Sequence, residues 1–213
     1  MSRGSPELTA ARKEEIIQAC AKLNETMSFK EITIKEIGAA TSFTRTSIYN
    51  YFETKEEIFL ALLQKEYELW AEAMHTAMEK QSAMSRREVA QVLARTLTDR
   101  PRLLRLLSMN LYDMEANSRP ERLAEFKAAF GASLNIVEQM IEKYIPDMDA
   151  EARKRFLYSF FPFIYGIYPY TNVTEKQKEA MKRAGIPYAY QSAYELTYSC
   201  LKKLLEESKE EAS

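Results

Sequence analysis

A chain of 213 residues and 24.7 kDa holds one large domain, or a small domain joined to a larger one. Apolar residues at 46% and charged residues at 29% give the balance of a globular protein, and a net charge of -1 excludes a bulk-basic nucleic-acid binder. With only 5 Gly and 7 Pro against many Ala, Leu, Glu and Met, the composition predicts a mostly helical chain. Cys20 and Cys200 are too few and too far apart for a disulfide framework, and fit a reduced, cytoplasmic setting. The N-terminal stretch MSRGSPELTAARKEE has no apolar segment of the signal-peptide kind. The most apolar run, Phe156 to Tyr170, is interrupted by Pro162 and Gly166 and is too short to span a membrane.

In chain order, residues 1–9 read as a frayed tail. Ile16, Ile17, Cys20 and Leu23 then form one stripe of a helix starting at Thr9. Thr33 and Glu36 make a capping box for a short helix whose Ile34, Ile37 and Ala40 face inward. After a break at Ser42 and Phe43, Thr44 is placed to cap a helix carrying Arg45 to Tyr51. Thr54 and Glu57 form a second box, opening a long helix in which Ile58, Leu62, Tyr67 and Trp70 share a face. Ser85 and Glu88 form a third box, ahead of VAQVLARTL. RLLRLLSMNLYDM reads as a single helix after Pro101, and Pro120 starts another running to Tyr144. Asp149 caps a helix that Pro162 kinks, Pro169 and residues 171–173 form a turn, and Thr174 with Gln177 caps a short helix ended by Gly185 and Pro187. The last helix, YQSAYELTYSCLKKLLEES, precedes an acidic tail read as disordered. About nine helices and no strand result. The fold class is all-α: a three-helix bundle with a helix-turn-helix, then a larger bundle of about six helices. The boundary falls near Thr54, giving domains 1–54 and 55–213.

Two short helices joined by about four residues follow the helix-turn-helix plan, in which the second enters the major groove N-terminal end first. Between Ile37 and Phe52 the one group charged at neutral pH is the guanidinium of Arg45. Thr44, Arg45, Thr46 and Asn50 are the short hydroxyls, guanidinium and amide that base-edge readout needs, and an acid there would repel phosphate. Tyr49 and Tyr51 reach phosphate with their hydroxyls; Phe52 reads as core, and Tyr51 serves equally as core or backbone contact. Lys55 in a first helical turn opposes the helix dipole, which a nearby anion would explain. Against this, residues 1–60 hold 8 Lys/Arg and 9 Asp/Glu, so one copy binds DNA non-specifically only weakly.

These residues resemble the N-terminal domain of the TetR family of bacterial transcriptional regulators over roughly residues 10–62. Ile37 and Gly38 stand at the family's Ile-Ala pair, and Thr41, Ser42 and Phe43 at its Ala-Gly-Val turn. Thr44 is the cap, Ile48 to Phe52 the aromatic run, and Thr54 to Ile58 the Ser-Lys-Glu-x-Leu ending. Phe29, Ile32 and Ile34 fit the approach. Ser42 replaces the usual turn glycine, and a serine tolerates a left-handed backbone poorly, so the turn is expected to differ. Phe43 replaces a small valine. The resemblance implies base contacts from Arg45, Thr46 and Tyr49. It implies backbone contacts from Thr33, Thr44, Asn50, Tyr51 and Lys55, which fix register without reading sequence.

The resemblance further implies a homodimer formed by the last two long helices, and an effector site among the middle ones. Tyr190, Tyr194, Tyr198, Leu201 and Leu205 lie on one face of the final helix and are the interface candidates; the alternative is that this face buries against its own chain. SFFPFIYGIYPY looks like the C-terminal domain of TetR-type regulators from low-GC Gram-positive bacteria, and its proline bend shapes a pocket wall or simply bends a core helix. Trp70, Met74, Met109, Tyr112, Phe126, Phe130, Phe161 and Tyr165 are the ligand candidates, suited to an apolar or aromatic effector, with plain core as the alternative.

An enzyme is not expected. His75 stands near Glu72 and Glu79 without the three or four spaced ligands of a metal site, and there is neither a Gly-rich phosphate loop nor a nucleophile elbow. No cofactor and no membrane partner is expected. The function implied is a ligand-responsive DNA-binding regulator, a repressor released from a palindromic operator. The rival is a helical protein-interaction module without sequence-specific DNA binding.

Overall fold

Helix-forming composition and local caps carry through to the three-dimensional structure. The computed structural model describes residues 5–210, with side-chain surroundings through Glu206. Every regular element among them is a helix: α1 (Pro6–Thr26), α2 (Ile34–Ala39), α3 (Arg45–Ile48), α4 (Lys55–Lys80), α5 (Arg86–Thr98), α6 (Pro101–Leu107), α7 (Leu111–Ala116), α8 (Pro120–Tyr144), α9 (Ala150–Thr171), α10 (Glu175–Arg183) and α11 (Ala193–Glu210). Eleven helices thus replace the expected nine or so. The N-terminal expectation changes, because Ser5 accepts the Leu8 N–H and Pro6 starts α1, so residues 6–9 are helical. Residues 1–4, which complete the expected tail, and 211–213 of the acidic end lie outside the described residues.

The run read as one helix after Pro101 is two. α6 stops at Leu107, and Asn110 accepts the Asp113 N–H at 3.3 Å to start α7. An asparagine side chain competes for backbone N–H groups, which favours a fresh cap over an uninterrupted helix. In the other direction, α9 continues through both Pro162 and Pro169 to Thr171, so the expected turn at Pro169 is helical. The Asp149 cap and the Pro120 helix start form where the sequence puts them, and both boxes at Ser85/Glu88 and Thr174/Gln177 close reciprocally.

Two compact units divide the chain. The first takes in the residues up to Lys65 together with Met109–Phe130; the second takes in Glu66–Ser108 and the chain from Gly131 onward. In the first, α2 packs on α1 and α3, over a core of Ile16, Cys20, Ile32, Ile37, Ile48, Phe52, Ile58 and Phe59. Phe29 meets Phe59 edge-on at 4.8 Å between ring centroids. In the second, α11 lies on α5 and α9, and α6 on α9, around Trp70, Leu93, Leu97, Leu106, Phe160 and Ile164. No helix among the described residues is long and apolar enough to cross a membrane.

Candidate nucleic-acid interface

The reading helix is short. α3 spans four residues, and Tyr49 to Tyr51 continue it as turns through the Asn50 N–H to Ser47 O and Tyr51 N–H to Ile48 O bonds. Ile48 is wholly buried and pins the helix to the core, while Thr44, Arg45, Thr46, Tyr49 and Asn50 are all exposed. Apolar inside and polar outside, the segment presents its candidate base-reading groups on one surface. Arg45 donates from Nη2 to the Tyr49 hydroxyl at 3.3 Å, so two of the three predicted base-contacting side chains touch each other.

Thr44 stands at the predicted cap position with an extended backbone, but its hydroxyl meets the Ser47 hydroxyl at 3.1 Å rather than a backbone N–H. Its carbonyl takes the Ser47 N–H instead, at 2.8 Å. Thr33 does cap α2: it accepts the Lys35 N–H and also bonds the Glu36 carboxylate. At Thr54 the expected box is half formed. The hydroxyl accepts the Glu57 N–H, whereas the Glu57 carboxylate accepts from Glu53 N at 2.9 Å.

The turn between α2 and α3 has a solution that the sequence pattern did not suggest. No non-glycine residue among those described has a positive φ, so Ser42 needs no left-handed backbone. Its N–H and hydroxyl are both received by the Glu15 carboxylate of α1, the hydroxyl at 3.0 Å. Thr41 closes the same turn by donating to the Gly38 and Phe43 carbonyls. Gly38 sits at a close approach: a Cβ there would lie 3.1 Å from Arg45 Cα, so α2 and α3 cross backbone to backbone.

Two neighbouring cations behave differently. Arg12, exposed on α1, donates to the Tyr51 hydroxyl at 3.2 Å, adding a positive charge beside a predicted backbone contact. Arg12 and Tyr51 are 39 residues apart, so no local spacing in the chain links them. Lys55 donates to the carbonyls of Phe29 and Ile32 at 2.7 and 3.1 Å, and sits 4.1 Å from the Phe29 ring centroid. Those carbonyls, rather than an outside anion, account for a lysine in the first turn of α4.

The other candidates are dispersed. Of the ligand candidates, Met109, Tyr112, Phe126 and Phe130 belong to the first unit and Trp70, Met74, Phe161 and Tyr165 to the second. Tyr112 is 81% exposed, whereas Trp70, Met74, Phe126 and Phe161 are buried. Trp70 stacks obliquely with Phe161 at 5.9 Å and donates to the Thr96 hydroxyl; the Tyr165 and Tyr67 hydroxyls lie 3.4 Å apart. On α11, Leu201 and Leu205 are buried within their own chain, so the apolar half of the predicted interface is internal. Tyr194 and Tyr198 are half-exposed with parallel rings 5.8 Å apart, and Tyr190 is exposed. Among the described residues there is no group of three or more His, Cys, Asp and Glu able to hold a metal.

Comparison with known proteins gives two consecutive family matches along the chain. The family described as "Bacterial regulatory proteins, tetR family" matches residues 16–62, and the one described as "Tetracyclin repressor-like, C-terminal domain" matches residues 64–192. No curated protein matches. Among solved structures, a putative TetR-family regulator from Mesorhizobium loti superimposes with a TM-score of 0.62 at 15% identity, over 94% of this chain and 96% of that one. PfmR from Thermus thermophilus gives 0.58 at 13%, over 90% and 97%. FadR from Bacillus subtilis, solved in complex with stearoyl-CoA, gives 0.57 at 16%, over 90% and 97%. At these identities the solved structures speak for the fold, and the family matches speak for kinship. Since one of those matches spans well over half of its length, the chain belongs to the TetR family of bacterial transcriptional regulators, which are typically ligand-responsive DNA-binding repressors and not enzymes.

Proposed function

We propose that this regulator is a homodimer that places two copies of α3 in successive major grooves of a palindromic operator, and that an apolar or aromatic effector releases it. The observation that carries the reading is the exposed row Arg45, Thr46 and Tyr49 on a helix pinned from behind by Ile48. Arg45 reads a guanine edge, the commonest specific contact in the major groove, with Thr46 and Tyr49 beside it. Thr33, Thr44, Asn50 and Tyr51 hold the phosphate backbone, while Lys55 is engaged by the Phe29 and Ile32 carbonyls. The side chains that touch DNA come from residues 1–54, and effector and partner are bound by side chains within 55–213.

The dimer uses the outer faces of α9 and α11. Tyr158 and Tyr170 on α9 are 71% and 59% exposed, with Pro162 and Pro169 between them on the exposed side. Tyr194 and Tyr198 supply the α11 side, with Tyr190 just ahead of the helix. Large exposed tyrosines in a series suit an interface. The effector lies among Trp70, Met74, Phe161 and Tyr165, and a coupling of roughly 1–3 kcal/mol suffices to release DNA. A DNA partner places the protein in the bacterial cytoplasm.

Selecting bound fragments from random and genomic DNA tests this directly. Enrichment of a two-fold symmetric site with half-sites about one helical turn apart is expected. The absence of any enriched fragment at low salt would favour a protein-interaction module instead. Adding stearoyl-CoA, long-chain fatty acids and flat aromatics to the bound complex then screens for release.

A further inference from the structure

Residues 117–122, far beyond the reading helix in sequence, reach back to its C-terminal end. Past α3, whose Ser47 and Ile48 carbonyls accept the Asn50, Tyr51 and Phe52 N–H groups, the chain turns at Tyr51. The Tyr51 carbonyl is taken up by Arg119 Nη2 and by Arg122 Nη2, each at 3.3 Å. The Arg122 guanidinium also lies 5.4 Å from the Phe52 ring centroid, and the Thr54 hydroxyl donates to Asn117 O at 3.0 Å.

The centre of the cluster is Glu57, whose side chain is 1% exposed. Its carboxylate accepts Arg119 Nε at 2.6 Å, Arg119 Nη2 at 2.7 Å, the Arg119 backbone N–H at 3.1 Å and the Glu53 N–H at 2.9 Å. Arg119 Nη1 pairs with Glu53 at 3.3 Å as well. Burial pushes the Glu57 carboxyl up, but the bonds from Arg119 and Glu53 outweigh it and hold it below the usual carboxylate range. Such charge-assisted, forked bonds define direction as well as strength. All of these groups belong to the first compact unit.

We propose that Arg119 and Arg122 are positioning residues for DNA recognition: from the start of α8 they fix the turn Tyr49–Glu53, and with it the pitch of the Arg45–Tyr49 face. The DNA-reading unit is therefore discontinuous, made of the residues up to Lys65 and of Met109–Phe130. The stretch resembling the family motif is not sufficient by itself. Both guanidinium groups are occupied by the protein's own carbonyl and carboxylate oxygens, so their contribution to binding is geometric. The inference rests on the DNA-binding reading above, and its test separates the two.

The test uses full-length Arg119→Met, Arg119→Lys and Arg122→Met, with two readouts. Amide hydrogen exchange without DNA is followed in residues 49–54 and, as a control, in α5 and α9. Affinity is measured for the selected operator and for a scrambled duplex over a salt series. In Arg119→Met, exchange at 49–54 is expected to accelerate about tenfold or more, the scale of a lost charge-assisted bond, with the control helices unchanged. Operator affinity should fall by a similar factor while scrambled-duplex affinity and the salt slope hold. Arg119→Lys, which keeps charge but not the fork, should recover only part, and remains informative if the methionine variant does not fold. Unchanged exchange at 49–54 overturns the proposal. So does an equal loss on both duplexes with a salt slope smaller by about one, the signature of a direct phosphate contact. If the unmodified protein binds no duplex, the DNA reading fails, and the exchange data still decide whether Arg119 holds the turn.

Discussion

Arg45 and Tyr49 stand one helical turn apart on the exposed side of α3, with the guanidinium donating to the phenol oxygen at 3.3 Å. This bond restrains the arginine, and under the proposed base contact such restraint lowers the ordering cost of binding. Arg45→Ala should cost about 1–3 kcal/mol of discrimination between operator and mismatched duplex. Tyr49→Phe, which removes only the pinning hydroxyl, should cost less, about 1 kcal/mol. Neither should move the thermal midpoint, because both side chains are exposed. Competition binding with single-mismatch duplexes and a thermal melt check the pair.

Restoring the family's glycine at the turn should weaken this protein. Ser42 has no left-handed backbone to relieve, and Glu15 receives its N–H and its hydroxyl. Ser42→Gly loses one bond and adds unfolded-state freedom, together about 1–2 kcal/mol. Glu15→Ala should match it to within a factor of two, since it removes the acceptor for both bonds. Denaturant titration of the two variants and of their combination tests the tie, because coupled partners are not additive.

Gly38 should tolerate little beyond a methyl group. The 3.1 Å approach to Arg45 Cα involves backbone, which cannot rotate away as a side chain can. Gly38→Ala asks for a shift of a few tenths of an ångström, in line with the alanine of the related motif. Gly38→Val should destabilise by about 1–3 kcal/mol and push α3 outward, so operator binding should drop further than stability does. Melting curves paired with operator titrations separate the two effects.

Acid should loosen the first unit through Glu57. Its carboxyl is held below the ordinary value of about 4.3, so the stability it contributes is fully present above that pH. It is lost as pH falls through the lowered folded-state value. Glu57→Gln should flatten that acid limb and cost about 2 kcal/mol at neutral pH. This lies below the roughly 3–5 kcal/mol of breaking a fully buried pair, because Arg119 is 37% exposed and solvent-screened. Urea unfolding between pH 3 and 7, a range bracketing the ordinary glutamate value, measures both.

Cys20 should be inert in the folded protein. Burial pushes its thiol up to about 12, only partly opposed by the Lys55 ammonium, so almost no thiolate exists at neutral pH. A maleimide should label Cys20 only after denaturant is added, and peptide mapping by mass spectrometry reads the site. Prompt native labelling at Cys20 would mean that α1 opens readily.

What depended on near neighbours in the chain was legible beforehand. The capping boxes at Ser85 and Thr174, the Asp149 cap and the Pro120 start involve groups three residues apart or fewer, and all form. The exposure of Arg45, Thr46 and Tyr49 opposite buried Ile48 follows from helical periodicity. Errors arose where two local signals competed. Asn110 sits in a helical pattern but serves as a cap, and Pro169 carries a turn signal although α9 runs through it. The interface candidates divided for another reason: periodicity identifies an apolar face on α11 but not its partner, and Leu201 and Leu205 turn out to be covered by their own chain.

The amino-acid sequence by itself determined a helical chain, its helix-turn-helix and its family, because helix periodicity, caps and the Ile48–Ile58 run act over a few residues. Only the tertiary structure decided what holds that segment in place. Glu15 behind Ser42, Phe29 and Ile32 carbonyls on Lys55, and Arg119 on Glu57 and Tyr51 are each joined across 23 residues or more. A hydrogen bond over such a separation leaves no periodic trace in the chain, since its partners meet only once the core has folded between them.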